Sequence, residues 1–386
     1  QRQMCIRDSY KLYKVINKGL IIILYLARDS MEIIKFWEHV NVPVSQAELN
    51  VVLIAHVREP RGHMNIRQLQ CSETERFTID EFNEIYQGIV DAGYFVQAVY
   101  FNEIDFITDY IEHPERYKSS LIYTLARNGL GDNKKTIIPS FCELVGLRYT
   151  TSSSLSCALA RNKYYFSSLF NTHNVPVPKS WLYTENKTWF NGTPETGTKV
   201  IYKPASESAS QGISESRIVE FSTEQNANLL SVSHIVQEYV DGFECEVPIF
   251  KVRDTVYVLP PIGIDLEGKS ILDEDASEHN QYGFYQLDKH FPSKTIDTIQ
   301  NAAERAFRLL QMDVYGRIDF RITQNGEPFI FDVSTTPYTT KHSSFACAFD
   351  LLGFEYCDIY RAIISASLMR KSVSYTHLTL PTILLV

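Results

Sequence analysis

From Tyr315 to Pro337 the chain reads Tyr-Gly-Arg-Ile-Asp-Phe-Arg-Ile-Thr-Gln-Asn-Gly-Glu-Pro-Phe-Ile-Phe-Asp-Val-Ser-Thr-Thr-Pro. Two alternating segments meet at Asn325-Gly326, the strongest short-range signal for a hairpin with a two-residue primed turn. With Gln324 facing Glu327, Asp319 falls opposite Asp332 and Arg317 opposite Ser334. Ile318, Phe320, Ile322, Phe329, Phe331 and Val333 then fill the other face as core, because side chains alternate along a strand. Two carboxylates facing each other across a strand pair repel. A hard divalent cation offsets that repulsion economically, since Mg²⁺ is usually held by one or two carboxylates plus phosphates. The plainer reading is a solvated polar face neutralised by Arg317 and Arg321, which is ordinary for an antiparallel sheet.

The rest of the chain decides between them. Its 386 residues, 44% hydrophobic, are ample for a core and suggest two or three lobes. A net charge of −9 argues against a nucleic-acid partner. The seven cysteines have no paired spacing, so a reduced, cytoplasmic protein is expected rather than a disulfide scaffold or zinc site. No apolar run approaches a membrane span; the longest, Leu20 to Ala27, is too short and lacks a signal-peptide pattern. Residues 1–9 and 373–386 resemble translated sequencing-adapter DNA and are set aside as foreign, with Met31 a candidate native start.

In order, Asn50–His56 reads as a buried strand, Thr78–Gly93 as a helix, Tyr94–Tyr100 and Ser120–Thr124 as strands, and Lys135–Val145 as a helix stopped at Gly146. Strand, helix, strand argues for a parallel sheet. Ser156–Phe170 reads as one helix, followed by the Val175-Pro-Val-Pro178 connector. Lys199–Pro204 is a strand that leads into Ala205–Ile213, a small, polar, Gly-containing loop able to wrap an anion. His234–Val240, Asp241-Gly242 and Phe243–Phe250 read as a hairpin or strand pair, with Glu244 and Glu246 on one face. Residues 264–293 have no clean period and are expected to be a functional loop, while Ile296–Leu310 is an amphipathic helix.

A strand–Lys-Pro–Ser/Gly loop, a strand–Gly–Glu unit and a paired-carboxylate hairpin ending in Thr-x-Pro, in this order, resemble the ATP-grasp enzymes. The resemblance is closest to the D-alanine–D-alanine ligases, over roughly residues 50–370. It implies an α/β fold with α+β lobes: an N-terminal parallel-sheet lobe, and two lobes clamping ATP between antiparallel sheets. The expected divisions are an N-terminal extension to residue 47, then lobes at 48–152, 153–240 and 241–371, and a foreign tail from 372. It also implies an ATP- and Mg²⁺-dependent carboxylate–amine ligase working through an acyl phosphate, with Mn²⁺ as a possible substitute metal. Partners would be a small-molecule carboxylate and an amine, with neither nucleic acid nor membrane, and a homodimer is compatible with this.

By that resemblance Lys163 and Lys203 hold nucleotide phosphates, with Ser208 and Ser210 in the phosphate loop. Gln237, Glu238 and Val240 lie in the segment that meets adenine, and Glu244 matches the ribose carboxylate. Arg317 matches an arginine that stabilises the acyl phosphate. Asp319, Asp332 and Ser334 fall on the metal ligands, and Ser343 on a serine that touches the second substrate's carboxylate. Several positions depart from the pattern. The metal pair is Asp332-Val-Ser334 rather than Glu-x-Asn, and Tyr338 stands where glycine is usual, narrowing the acceptor pocket. A phosphate-loop serine is Ala209, the lid segment Leu272–Asn280 is acidic and lacks a Lys-Tyr pair, and Glu59 is the candidate for a first-lobe glutamate. The departures gather on the substrate side, so the acceptor is expected to differ from D-alanine, and an acidic lid suits a cationic amine. The alternative is an ATP-binding module without ligase activity; a third reading is a carboxylate kinase that stops at the acyl phosphate.

Overall fold

The structure is a computed structural model that describes residues 28–40, 49–58, 73–129, 131–222 and 232–370. Residues 1–9, the apolar run from Leu20, Glu59 and the tail from 372 lie outside the described residues.

Strands β1 (Asn50–Ala55), β2 (Phe95–Tyr100), β3 (Ser120–Leu125) and β4 (Arg148–Tyr149) form a parallel sheet in the order β2-β1-β3-β4. The helix preceding this sheet, α1 (Arg28–Val40), buries Phe36 and Val40. Its successors are α2 (Ile79–Asp91), α3 (Glu103–Glu112) and α4 (Ile137–Val145). Helix α2 begins where predicted because Thr78 and Glu81 form a reciprocal capping box. Helix α4 ends where predicted because Gly146 takes the left-handed conformation, φ 76°.

The predicted single helix over Ser156–Phe170 is two: α5 (Ser154–Arg161) and α6 (Lys163–Thr172). Asn162 leaves helical geometry, and its side-chain oxygen accepts from the backbone N–H groups of Tyr164 and Tyr165. An N-cap residue inside an apolar period restarts the helix. The break frees the Lys163 N–H to donate to the Ala205 carbonyl, at the head of the serine-rich loop.

Five strands follow: β5 (Ser180–Tyr183), β6 (Trp189–Phe190), β7 (Lys199–Pro204), β8 (Ile218–Glu220) and β9 (His234–Glu238). They form an antiparallel sheet ordered β6-β5-β9-β7-β8. The second antiparallel sheet contains β10 (Phe243–Val252), β11 (Thr255–Val258), β12 (Ile262–Asp265), β13 (Gly283–Gln286), β14 (Tyr315–Ile322) and β15 (Pro328–Ser334). Its order is β13-β12-β10-β14-β15, with β11 on β10. Thus β9 and β10 are not a hairpin; they belong to different sheets. Gly242 makes that crossing possible: with φ 151°, a Cβ there would sit 1.9 Å from the Ile322 carbonyl oxygen. The aperiodic 264–293 region resolves into β12, the short helix α7 (Glu274–Glu278), β13 and their connections.

The hairpin departs from its predicted register in two places, and the departures cancel. Thr323 exchanges backbone hydrogen bonds with Glu327 and Gly326, so the loop has three residues, with Gly326 at φ 84°. Ile322 therefore pairs with Pro328, and Phe320 with Ile330. A bulge at Phe331 then restores the expected pairing of Asp319 with Asp332 and Arg317 with Ser334. The core residue is consequently Ile330, fully buried, whereas Phe329 and Phe331 are only partly buried. Phe331 turns to the chemical face.

Helix α8 (Ser293–Leu309) covers the other face of this sheet, where Phe307, Ile318, Phe320, Ile322 and Ile330 share one core. Helices α9 (Ser344–Leu351) and α10 (Tyr356–Leu368) share a second core with the parallel sheet, α1 and β10. That shared core ties the parallel sheet to the strand that carries Glu244 and Glu246.

Candidate active site

The polar face of β10, β14 and β15 looks into a cleft whose opposite wall comes from β7, β9 and the 205–213 loop. It is not a solvated face: Asp319 and Arg321 are 4% and 6% exposed. Register puts Glu246, Asp319 and Asp332 in one row across three adjacent strands. Arg317 and Arg321 flank the row on β14.

Arg317 donates Nε and Nη2 to the two Asp319 oxygens, both at 2.8 Å, and its Nη1 lies 3.1 Å from Glu246 Oε1. Burial and the neighbouring Glu246 charge push Asp319 up to about 7, against the pull of Arg317. Asp332 goes the other way: although burial opposes it, Lys163 at 3.3 Å and Arg317 hold its carboxyl below the usual range. Arg321 has a framing role. It donates to Glu244 at 2.6 Å and to the carbonyls of Val240, Gly242 and Ser270, stapling the crossing between the two antiparallel sheets. Burial raises the Glu244 carboxyl despite this pairing.

At the start of α6, Lys163 Nζ donates to the Glu207 carbonyl, and from the opposite wall Lys203 Nζ donates to Gln237 Oε1 at 3.1 Å. Lys203 also sits 4.9 Å above the Phe331 ring that the bulge turns inward. Burial and the nearby Lys163 charge push Lys203 down to about 7. Glu238, Val240, Ser208 and Ser210 line the same cleft. Consecutive left-handed residues, Ala209 and Ser210, both at φ 53°, curl the loop around its opening.

Not every sequence-based candidate converges. Ser343 is 3% exposed and caps α9, accepting from the Ala346 N–H and donating to the Thr340 carbonyl; it is absent from the cleft wall. Its neighbour His342 lines the cleft instead. Tyr338 does reach the cleft, with its ring stacked edge-on to Phe77 and the Arg127 guanidinium 4.5 Å above it.

Sequence reasoning missed a second ionic centre. Glu75, fully buried, accepts from Lys134 at 3.0 Å and from Arg161 and Ser208 at 2.8 Å each. Glu207 pairs with the same lysine and arginine. Burial alone would raise the Glu75 carboxyl, but Arg161 and Lys134 hold it far below the usual range. The network fastens the 205–213 loop to the segment after β1. The acidic segment closes another side: Gly212 N–H donates to Glu274 at 2.9 Å, and Glu278 lies 3.7 Å from Arg58.

The donor set suits a metal only in part. Two carboxylates side by side match what Mg²⁺ takes when phosphates complete its shell. Among the described residues no cluster of three or more His, Cys, Asp or Glu is arranged to hold a metal alone. Nor is any described helix long and apolar enough to cross a membrane.

The family model for the D-ala D-ala ligase C-terminus matches residues 172–365, half of the chain. The chain belongs to that family. This D-alanine–D-alanine ligase-like, ATP-grasp protein is 26% identical over 234 residues to the D-alanine–D-alanine ligase of Cupriavidus metallidurans, covering 58% of this chain and 69% of that protein. It is 25% identical over 256 residues to the uncharacterized protein y4sG of Sinorhizobium fredii, covering 64% and 75%. In fold it resembles the D-alanine–D-alanine ligase of Bacillus anthracis solved in complex with ATP. The TM-score is 0.63 at 19% identity, over 83% of this chain and 97% of that one.

Proposed function

We propose that the protein is an ATP-dependent carboxylate–amine ligase that forms an amide bond through an acyl phosphate. The observation that carries this is the meeting of Lys163, Lys203, Glu244 and the Asp319–Asp332 pair in one cleft between two antiparallel sheets. Family membership and the ATP complex of the Bacillus anthracis ligase support the nucleotide.

In this reading Lys163 and Lys203 offset phosphate charge as compact ammonium groups. Gln237, Glu238 and Val240 border the base and Glu244 the ribose. Asp319 and Asp332, with Ser334 beside them, would hold Mg²⁺, which when bound neutralises phosphate charge; Arg317 must then release at least one Asp319 oxygen. A substrate carboxylate oxygen attacks the γ-phosphorus and ADP leaves. The amine nitrogen then attacks the acyl carbon, phosphate leaves and the amine gives up a proton. In this reading Arg317 stabilises the negative charge that develops on the acyl oxygen. The Glu75–Arg161–Ser208 fastening and the docked Glu274 keep the loop shut, limiting hydrolysis of the acyl phosphate by water.

One observation favours an ATP-binding module without turnover: both Asp319 oxygens are already taken by Arg317. A panel of amino acids and small amines, screened for ATP-dependent release of ADP and phosphate, separates the two. Turnover with any pair excludes the inactive module. Tight Mg-ATP binding without turnover across the panel overturns the ligase. Hydroxylamine-trapped acyl phosphate formed without an amine, and with no amide product, identifies a kinase.

A further inference from the structure

The mechanism above leaves Glu246 without a task. It stands next to Asp319 in the carboxylate row, is 5% exposed and lines the cleft. One oxygen meets Arg317; the other, Oε2, is buried with no hydrogen-bond partner among the described residues. A buried acceptor left unpaired is costly, more so when it is ionised. Arg317 cannot relieve it, because its remaining nitrogens are committed to Asp319. Tyr282 and His342 line the cleft with Glu246 and lie within reach of its charge. The His342 ring lies 4.9 Å from Tyr282 and 5.1 Å from Phe284, and its own Nε2 is also unpaired. A carboxylate oxygen beside aromatic faces is what an ammonium group seeks.

We infer that Glu246 Oε2 is the docking point for a positively charged amine acceptor that lacks a neighbouring carboxylate. The word acceptor rests on the ligase reading; the cation site does not. Charge argues against a carboxylate on that acceptor: Glu81 and Glu278 line the same cleft. The serine expected to receive such a carboxylate, Ser343, is turned into a helix cap. Of the cations on this side, Arg127 is sandwiched between Phe77 and Tyr338. Arg58 is paired with Glu278 at 3.7 Å, and Lys135, which also lines the cleft, is left to serve the carboxylate substrate in this proposal. Glu246 is thereby a specificity residue, holding the amine one side chain away from Arg317.

The test is calorimetric binding of 1,4-diaminobutane to the full chain, with 1,4-butanediol and D-alanine as comparators, repeated on Glu246→Gln. The diamine should bind at least about tenfold more tightly than either comparator, and E246Q should lose about ten- to a hundredfold, as for a charge-assisted hydrogen bond. Diamine and diol binding alike, or an E246Q protein that binds the diamine as well as the parent, overturns the site. If thermal unfolding shows that E246Q does not fold, the wild-type contrast between diamine and diol decides alone. The ligase reading fails separately: diamine binding without ATP consumption across the panel keeps the docking point and rejects the ligase. Turnover without a diamine preference does the reverse.

Discussion

Two ionic centres face the same cleft and are built differently. Around Glu75, opposite charges close on one another: Lys134 and Arg161 each reach both Glu75 and Glu207. Around Lys203 the balance is left open. A second ammonium stands nearby, the direct partner is a neutral amide, and the lysine's proton is held weakly. The first arrangement fixes the shape of a joint between the parallel sheet and the 205–213 loop. On the function proposed above, the second leaves Lys203 available to a ligand that brings negative charge. A buried charge pair is weak evidence of function, whereas a buried lysine whose proton is held weakly, with no carboxylate as its direct partner, is a candidate functional group.

The contrast can be broken or sharpened in several ways. Asp332→Asn removes a carboxylate from the open centre and should lower ATP-dependent turnover by about a hundred- to a thousandfold or more, measured as ADP release. Asp319→Asn should do the same; intact turnover in both would reject the role proposed for the hairpin. At the closed centre Arg161→Met leaves Glu75 and Glu207 to share Lys134 and should cost about 3 kcal/mol in denaturant unfolding. An unchanged midpoint would mean that the network is not structural.

Lys203→Met should have the opposite profile, weakening Mg-ATP binding by about ten- to a hundredfold while leaving stability equal or higher. Equal loss in both measurements would mean that the two centres are alike in kind. The pH dependence follows from the lowered pKa of Lys203. As pH rises above about 7 the free protein carries this lysine increasingly neutral, and a polyphosphate draws a proton back onto it. Binding should therefore take up protons and weaken as pH rises, tested by calorimetry in buffers of different ionisation enthalpy. For stability, the unfolded chain holds more protons at this group between about 7 and the ordinary lysine value, so this group's contribution rises with pH across that window. The smallest effect belongs to Ser343→Ala, about 1 kcal/mol for a lost helix cap, read by thermal unfolding.

Much of the open centre was legible because its residues sit on regular elements. Period-two alternation put Asp319, Asp332 and Arg317 on one face, and the Tyr-Lys-Pro strand delivered Lys203 to the cleft. The closed centre was not legible. Glu75 acquires its partners only when segments from residues 134, 161 and 207 close over it, and no local pattern encodes that meeting. One signal was available: Glu75 lies just before the Thr78–Glu81 capping box, in the connection leaving the first parallel strand, where open α/β sheets place their ligand groups. Asn162 likewise offered its capping chemistry within an apolar period. The Phe331 bulge offered nothing, since neither the alternation nor the Asn-Gly turn marks an extra residue there.

That bulge lets one strand serve two masters. Between Pro328 and Ile330 its phase is set by packing, and from Asp332 to Ser334 by the cleft, with Phe331 as the unpaired residue between them. A bulge absorbs a one-residue change of register, so a change in the loop at Asn325 is expected to leave the aspartate in its row. The distal loop is therefore the place on this hairpin where a residue can be inserted with the least expected effect on the proposed centre, read as ADP release by the variant.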